Sequence, residues 1–187
     1  MKYLVVGLGN PGPEYADTRH NIGFQVLDAL ASASNVVFGV ARYGDVAQLR
    51  HKGRTFVLLK PSTFMNLSGK AVRYWMDQES IPADRILVLA DDLALPFGAI
   101  RIKASGGAGG HNGLTSIIEL LGTEGYPRLR FGIGSDFPKG RQSEYVLGQW
   151  SEGERKTLKE RIEIASKAVL QFGLLGIDHA MNNFNKR

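Results

Sequence analysis

Two histidines and a pair of adjacent aspartates hold most of the chemistry this sequence offers. His20 lies in Thr18-Arg19-His20-Asn21-Ile22 where a helical pattern begins, Asp91-Asp92 ends an apolar run, and His111 lies in Gly109-Gly110-His111-Asn112-Gly113. A carboxylate beside a histidine can orient the ring and steady the imidazolium formed when the ring takes a proton from water. The chain contains no cysteine and no G-x-S-x-G turn, so an activated water is the economical nucleophile. His20 is the candidate base, because the positive end of a helix dipole disfavours imidazolium and keeps the ring able to accept a proton. Two plainer readings stand beside it. His20 can be a polar residue that merely starts a helix, and His20, His111 and an aspartate can be metal ligands, although no close ligand spacing supports that. Asp91 and Asp92 point to opposite faces of a strand, so only one of them can serve a given site.

The glycine-rich segments narrow the chemistry further. Gly7-Leu8-Gly9-Asn10-Pro11-Gly12 follows a strand and satisfies G-x-G-x-x-G, but Pro11 has no N–H for a pyrophosphate and Pro13 prolongs the break. The acidic residue expected at the end of a second strand is missing, because Asp28 falls within the predicted helix, so a nicotinamide enzyme is not expected. Gly106-Gly107-Ala108-Gly109-Gly110 suits a mobile gate over a cleft, or a run of N–H donors for phosphate. Asn66 and Asn112 each precede a helix, where capping alone accounts for an asparagine. Phe64 and Met65 also precede a helix and can be core residues that staple it.

These groups must be carried by strands alternating with helices. Residues 2–6 read as a buried strand and 22–30 as a helix. Residues 46–50 and 55–59 flank His51-Lys52-Gly53 as a hairpin, followed by a helix through 71–76. Residues 85–90 form a buried strand, 99–103 a half-exposed one, 114–121 a helix stopped by Gly122, and 129–133 a last strand. Ser151 and Glu154 stand at capping-box spacing before a helix with Leu158, Ile162, Ala165 and Val169 on one face, and a short helix follows Gly176. The fold class predicted is α/β: a single domain over residues 1–187, with a mixed β-sheet flanked by helices on both faces.

Composition sets the outer limits. The chain has 187 residues, 43% of them apolar, enough for one full core. No apolar run approaches the length of a membrane span and the start shows no secretory signal, so a cytoplasmic protein without membrane partners is expected. The absence of cysteine removes disulfides and thiolate metal sites. Net charge is +5, and between Gly98 and Arg141 six basic residues (Arg101, Lys103, Arg128, Arg130, Lys139, Arg141) stand against three acidic ones. That stretch is either a solvated face or a phosphate-binding surface.

The motifs decide between these readings. Gly7 to Gly12, Glu14-Tyr15, Thr18-Arg19-His20-Asn21-Ile22-Gly23 and Val26-Leu27-Asp28 together resemble the signature of bacterial peptidyl-tRNA hydrolases. The resemblance continues in order through Lys60 to Asn66, Asp91-Asp92-Leu93, Gly109 to Gly113, Arg128-Leu129-Arg130 and Ala180 to Asn185. It implies hydrolysis of the ester between a peptide and the terminal adenosine of tRNA shed from ribosomes, without cofactor or metal, by a monomer. It selects Asp91 as the partner of His20 and tips Asn66 and Asn112 towards substrate binding, with either one a candidate oxyanion donor. It gives Asn10 the task of separating N-blocked peptides from free aminoacyl groups, and places Tyr15, Phe64 and Met65 around the adenosine and peptide. Lys103, Arg130 and Lys139, with Arg141, are the best candidates for the tRNA backbone, since phosphate contacts carry affinity and little sequence information. His111 receives no role. Thr115 and Ala94 depart from the family pattern, which usually has a basic and an acidic residue there.

Overall fold

A computed structural model describes all residues 1–187. Seven strands form one mixed sheet: β1 (Lys2–Gly7), β2 (Gly39–Ala41), β3 (Gly44–His51), β4 (Arg54–Pro61), β5 (Ile86–Asp92), β6 (Ile100–Lys103) and β7 (Arg128–Gly132), in the order β2-β3-β4-β1-β5-β7-β6. β4, β1, β5 and β7 run parallel, while β2, β3 and β6 are antiparallel to their neighbours. The helices are α1 (Ile22–Ala33), α2 (Ser68–Glu79), α3 (Asn112–Leu121), α4 (Gln142–Val146), α5 (Glu152–Leu175) and α6 (Ile177–Phe184). No helix is long and apolar enough to cross a membrane.

The central strands are apolar on both faces because both faces are covered. Tyr3, Val5, Phe56, Leu58, Leu87 and Leu89 pack with α1, α5 and α6, while Leu4, Val6, Val57, Leu59, Ile86 and Val88 pack with α2 and α3. Continuing the alternation places Asp91 on the α1 side and Asp92 on the other, both at the C-terminal end of β5. Gly7 and Gly23 let α1 approach the end of β1: a Cβ on Gly7 would stand 2.3 Å from the Gly23 carbonyl oxygen. That backbone contact brings the turn carrying His20 to the tips of β1 and β5.

The expected elements are present, with three differences. β2 was not expected: it is three residues long and mostly exposed, so burial leaves no period-2 imprint on it. α4 is also unexpected, a five-residue helix with no buried residue. His20 lies in a 3-10 turn, Arg19–Asn21, that leads into α1, rather than in the first turn of the α-helix itself. The Lys52-Gly53 hairpin is tight, with both residues at positive φ (47° and 81°), the conformation that matches strand twist. The capping box of Ser151 and Glu154 is formed. At the far edge, the Asn185 side chain acts as a substitute strand for β6, accepting the Ile102 N–H (2.6 Å) and donating to the Ile102 carbonyl (3.0 Å). This protects the strand that carries Lys103 from pairing with another chain.

Candidate active site

Asp91 stands between the two histidines. His20 Nδ1 lies 2.9 Å from each of its carboxylate oxygens, His111 Nε2 lies 2.8 Å from Oδ1, and the ring centroids are 5.0 Å apart. The other nitrogen of His111 settles that ring's proton. His111 is the N-cap of α3, and its Nδ1 accepts the N–H groups of Gly113 (3.0 Å) and Leu114 (3.3 Å). A ring nitrogen that accepts carries no hydrogen, so His111 is neutral with its proton on Nε2, directed at Asp91. His20 presents Nδ1–H to the same carboxylate, which leaves His20 Nε2 as the one ring nitrogen of the pair without a partner. Burial pushes the Asp91 carboxyl up, but its interactions with His111 and then with His20 outweigh burial and hold the pKa at about 2. Asp91 is therefore a carboxylate throughout the physiological range. The three groups also sit close enough to serve as metal ligands, their ligand atoms all lying within 4.8 Å of one another.

The turn bearing His20 is held from both sides. Buried Asn21 clamps the glycine loop, its Oδ1 accepting the Asn10 N–H and its Nδ2 donating to the Asn10 carbonyl, each at 2.9 Å. Arg19 donates to the Tyr145 carbonyl (3.1 Å) and to Glu154 Oε1 (3.0 Å), and its guanidinium lies 4.1 Å from the centre of the Tyr145 ring. Glu154 thus closes the capping box of α5 and anchors the residue beside His20, a double use that capping-box spacing alone does not reveal.

The candidate binding residues fall into distinct settings. Asn10 Oδ1 accepts the Met65 N–H at 2.7 Å, so its Nδ2 is its one uncommitted donor. Asn66 and Asn112 are exposed and cap nothing: α2 begins without a side-chain cap and α3 is capped by His111, so capping no longer accounts for either. Phe64 is exposed, Tyr15 is half-buried, and the Met65 side chain is only 4% exposed, packed with Leu8 and Leu114. Met65 therefore meets the site through its backbone N–H.

A cleft of about 330 Å³ opens beside the histidines, lined by Asp91, Lys103, the glycine loop, Asn112, Arg130 and α4 residues. Asp92 turns away from His20 and pairs with Arg130 (2.8 Å) while accepting the Ala94 N–H. Lys139 is exposed but does not line the cleft, and Arg141 pairs with Glu144. Thr115, where a basic residue is usual, bonds its hydroxyl to the His111 carbonyl instead. A second cavity of about 250 Å³ lies against the Asn10-Pro11-Gly12 turn, lined by Asn10, Asn21, Phe24, Asp45, Lys60 and others.

An acid-oriented histidine with one free nitrogen, unbonded amides nearby and a cleft with basic residues are the parts of a hydrolase acting on a phosphate-bearing substrate. Comparison with known proteins agrees. Residues 4–187 match the family model described as peptidyl-tRNA hydrolase. The chain is 59% identical over 187 residues to a peptidyl-tRNA hydrolase of Bacteroides fragilis and 51% identical to one of Cytophaga hutchinsonii, covering all of each chain. It superposes on the crystal structure of the Acinetobacter baumannii peptidyl-tRNA hydrolase with a TM-score of 0.92 at 37% identity, covering 98% of this chain and 94% of that one. The fold, the trio built on Asp91 and the full-length match together make this chain a member of the peptidyl-tRNA hydrolase family, an enzyme that hydrolyses the ester bond of peptidyl-tRNA.

Proposed function

We propose that His20 is the general base of this hydrolysis, Asp91 its orienting carboxylate and His111 the residue that fixes Asp91. The observation that carries the reading is the unpartnered Nε2 of His20, on a ring whose other nitrogen is held by a carboxylate. Water attacks the ester carbonyl while its proton passes to Nε2. Asp91 stabilises the imidazolium, and the collapsing intermediate expels the ribose oxygen of the terminal adenosine, which takes that proton. Asn112 lines the same cleft and supplies the donor for the oxyanion, a term worth about a hundredfold or more in rate at comparable sites. The facing nitrogen and oxygen atoms of the trio lie at hydrogen-bond distance, which supports a hydrogen-bonded trio that orients His20 over a metal site.

The two cavities divide the substrate. Lys103 and Arg130 face the phosphates of the acceptor end, with Lys139 an outlying contact, and Phe64 and Tyr15 offer aromatic surface to the terminal base. The peptide runs past Asn10 towards the second cavity, away from Lys103 and Arg130, where Lys60 is paired with Asp28. Asn10 Nδ2 reads the first blocked amide, which separates peptidyl from free aminoacyl esters. The enzyme works as a cytoplasmic monomer, where peptidyl-tRNA leaves the ribosome, and returns the tRNA for reuse.

Single-turnover release of tRNA from N-acetylaminoacyl-tRNA by His20→Ala, measured beside its tRNA affinity, tests this reading. A rate lowered about a hundredfold or more with affinity unchanged supports it. A rate near that of the wild type removes His20 from the chemistry.

A further inference from the structure

Arg128 is the largest fully buried side chain in the protein, 1% exposed, and it has no carboxylate partner. Its fork is spent on main-chain carbonyls instead. Nη1 donates to Gly107 (3.1 Å), Nη2 to Glu124 (2.8 Å) and Tyr126 (3.3 Å), Nε leans on the Tyr126 carbonyl (3.4 Å), and the guanidinium lies 4.1 Å from the centre of the Tyr126 ring. A buried cation is costly unless its donors are satisfied, so this arrangement fixes the carbonyls around it.

Gly107 belongs to the glycine loop between β6 and α3. The loop's first half is stitched to residues 124–126 through Arg128 and through the Gly106 N–H, which donates to the same Glu124 carbonyl (3.3 Å). Its second half, Gly109-Gly110, has positive φ (59° and 80°) and open space where side chains would stand. Next comes His111, whose N–H donates to the Ala108 carbonyl (3.0 Å) and whose ring holds Asp91. Both arginines border the cleft, but Arg130, two residues along β7, is partly exposed there and makes a single ion pair, with Asp92, so it can turn to a phosphate, whereas Arg128 is 1% exposed and held by three carbonyls.

We propose that Arg128 is a positioning residue for the hydrolysis, pinning Gly107 so that the glycine loop delivers His111 to Asp91, and that it makes no contact with tRNA phosphate. This rests on the reading of His111 and Asp91 given above. A lysine keeps the charge but not the fork, so it cannot hold Gly107 and the 124–126 turn together.

The test compares Arg128→Lys, Arg128→Met, His111→Ala and the double variant Arg128→Lys/His111→Ala on N-acetylaminoacyl-tRNA across a salt series. The expected result for Arg128→Lys is a kcat about tenfold lower, the size of one lost charge-assisted hydrogen bond, with KM within about twofold and an unchanged salt slope. The double variant falls no further than His111→Ala alone, because both act through the same contact. Wild-type kcat in Arg128→Lys, or a raised KM and a salt slope about one unit shallower in Arg128→Met, overturns the proposal, the second by making Arg128 a phosphate contact. Should Arg128→Met not fold, Arg128→Lys and the double variant decide alone. A His111→Ala enzyme with wild-type kcat would instead refute the role given to His111, whatever Arg128→Lys does.

Discussion

His111 binds Asp91 with one ring nitrogen and caps helix α3 with the other: Nε2 lies 2.8 Å from Asp91 Oδ1 while Nδ1 accepts two backbone N–H groups. The cap makes the ring a donor towards the carboxylate, so a helix terminus sets the tautomer of a residue in the active site. His111→Ala is expected to cost about 1 to 2 kcal/mol of stability from the lost cap and to lower kcat about tenfold with little change in KM. His111→Asn, which restores the cap but cannot reach Asp91 in the same way, should recover the melting temperature and leave kcat low. Calorimetry and steady-state kinetics separate the two effects.

Asp91 makes acid stability depend on the site. Its folded pKa is about 2, below the ordinary carboxylate value of 3.8, so its contribution is complete above that value and is lost as pH falls through about 2. The contribution is roughly 2 to 3 kcal/mol, and Asp91→Asn should unfold with a weaker pH dependence between about pH 4 and 2. The same variant should lose about a hundredfold or more in kcat, since an amide neither steadies the imidazolium nor enforces the tautomer. Urea melts at a series of pH values check the first expectation, and single-turnover rates the second.

Asn10 separates architecture from chemistry by atom. Its Oδ1 holds the Met65 N–H and its Nδ2 is free, so Asn10→Asp keeps the acceptor while exchanging the donor for an oxygen. The variant should melt close to the wild type yet hydrolyse N-blocked substrate at least about tenfold more slowly. Asn10→Ala should in addition lose about 1 to 3 kcal/mol, because the Met65 N–H is left buried without a partner.

Asn185 covers the edge of β6, the strand that carries Lys103. Asn185→Ala removes both hydrogen bonds that cover β6 at Ile102, and is expected to destabilise by about 1 to 3 kcal/mol and to promote self-association through the uncovered edge. Light scattering at matched concentration, read beside the melting temperature, shows whether the edge has opened.

Much of this arrangement was legible in the residues. The apolar run before Gly7, the helical spacing after Ile22, the Lys52-Gly53 turn and the Ser151/Glu154 box each have a local cause, and each forms as expected. The alternation along β5 also separated Asp91 from Asp92 correctly, sending Asp92 to Arg130. β2 and α4 were not legible because both are short and surface-bound, with no buried face to write a period into the sequence. The role of His111 was hidden for a different reason. Histidine is not among the usual capping residues, and its link to Asp91 spans 20 residues that only the folded loop brings together. Arg128 looked like any other basic residue of its stretch until its burial was seen.

The most direct measurement is release of free tRNA from N-acetylaminoacyl-tRNA and from unblocked aminoacyl-tRNA, in EDTA, by the wild type and by His20→Ala. The expected result is rapid cleavage of the blocked substrate alone, insensitive to EDTA and lost in His20→Ala. Cleavage abolished by EDTA in the wild type would contradict it and make His20, Asp91 and His111 the ligands of a catalytic metal.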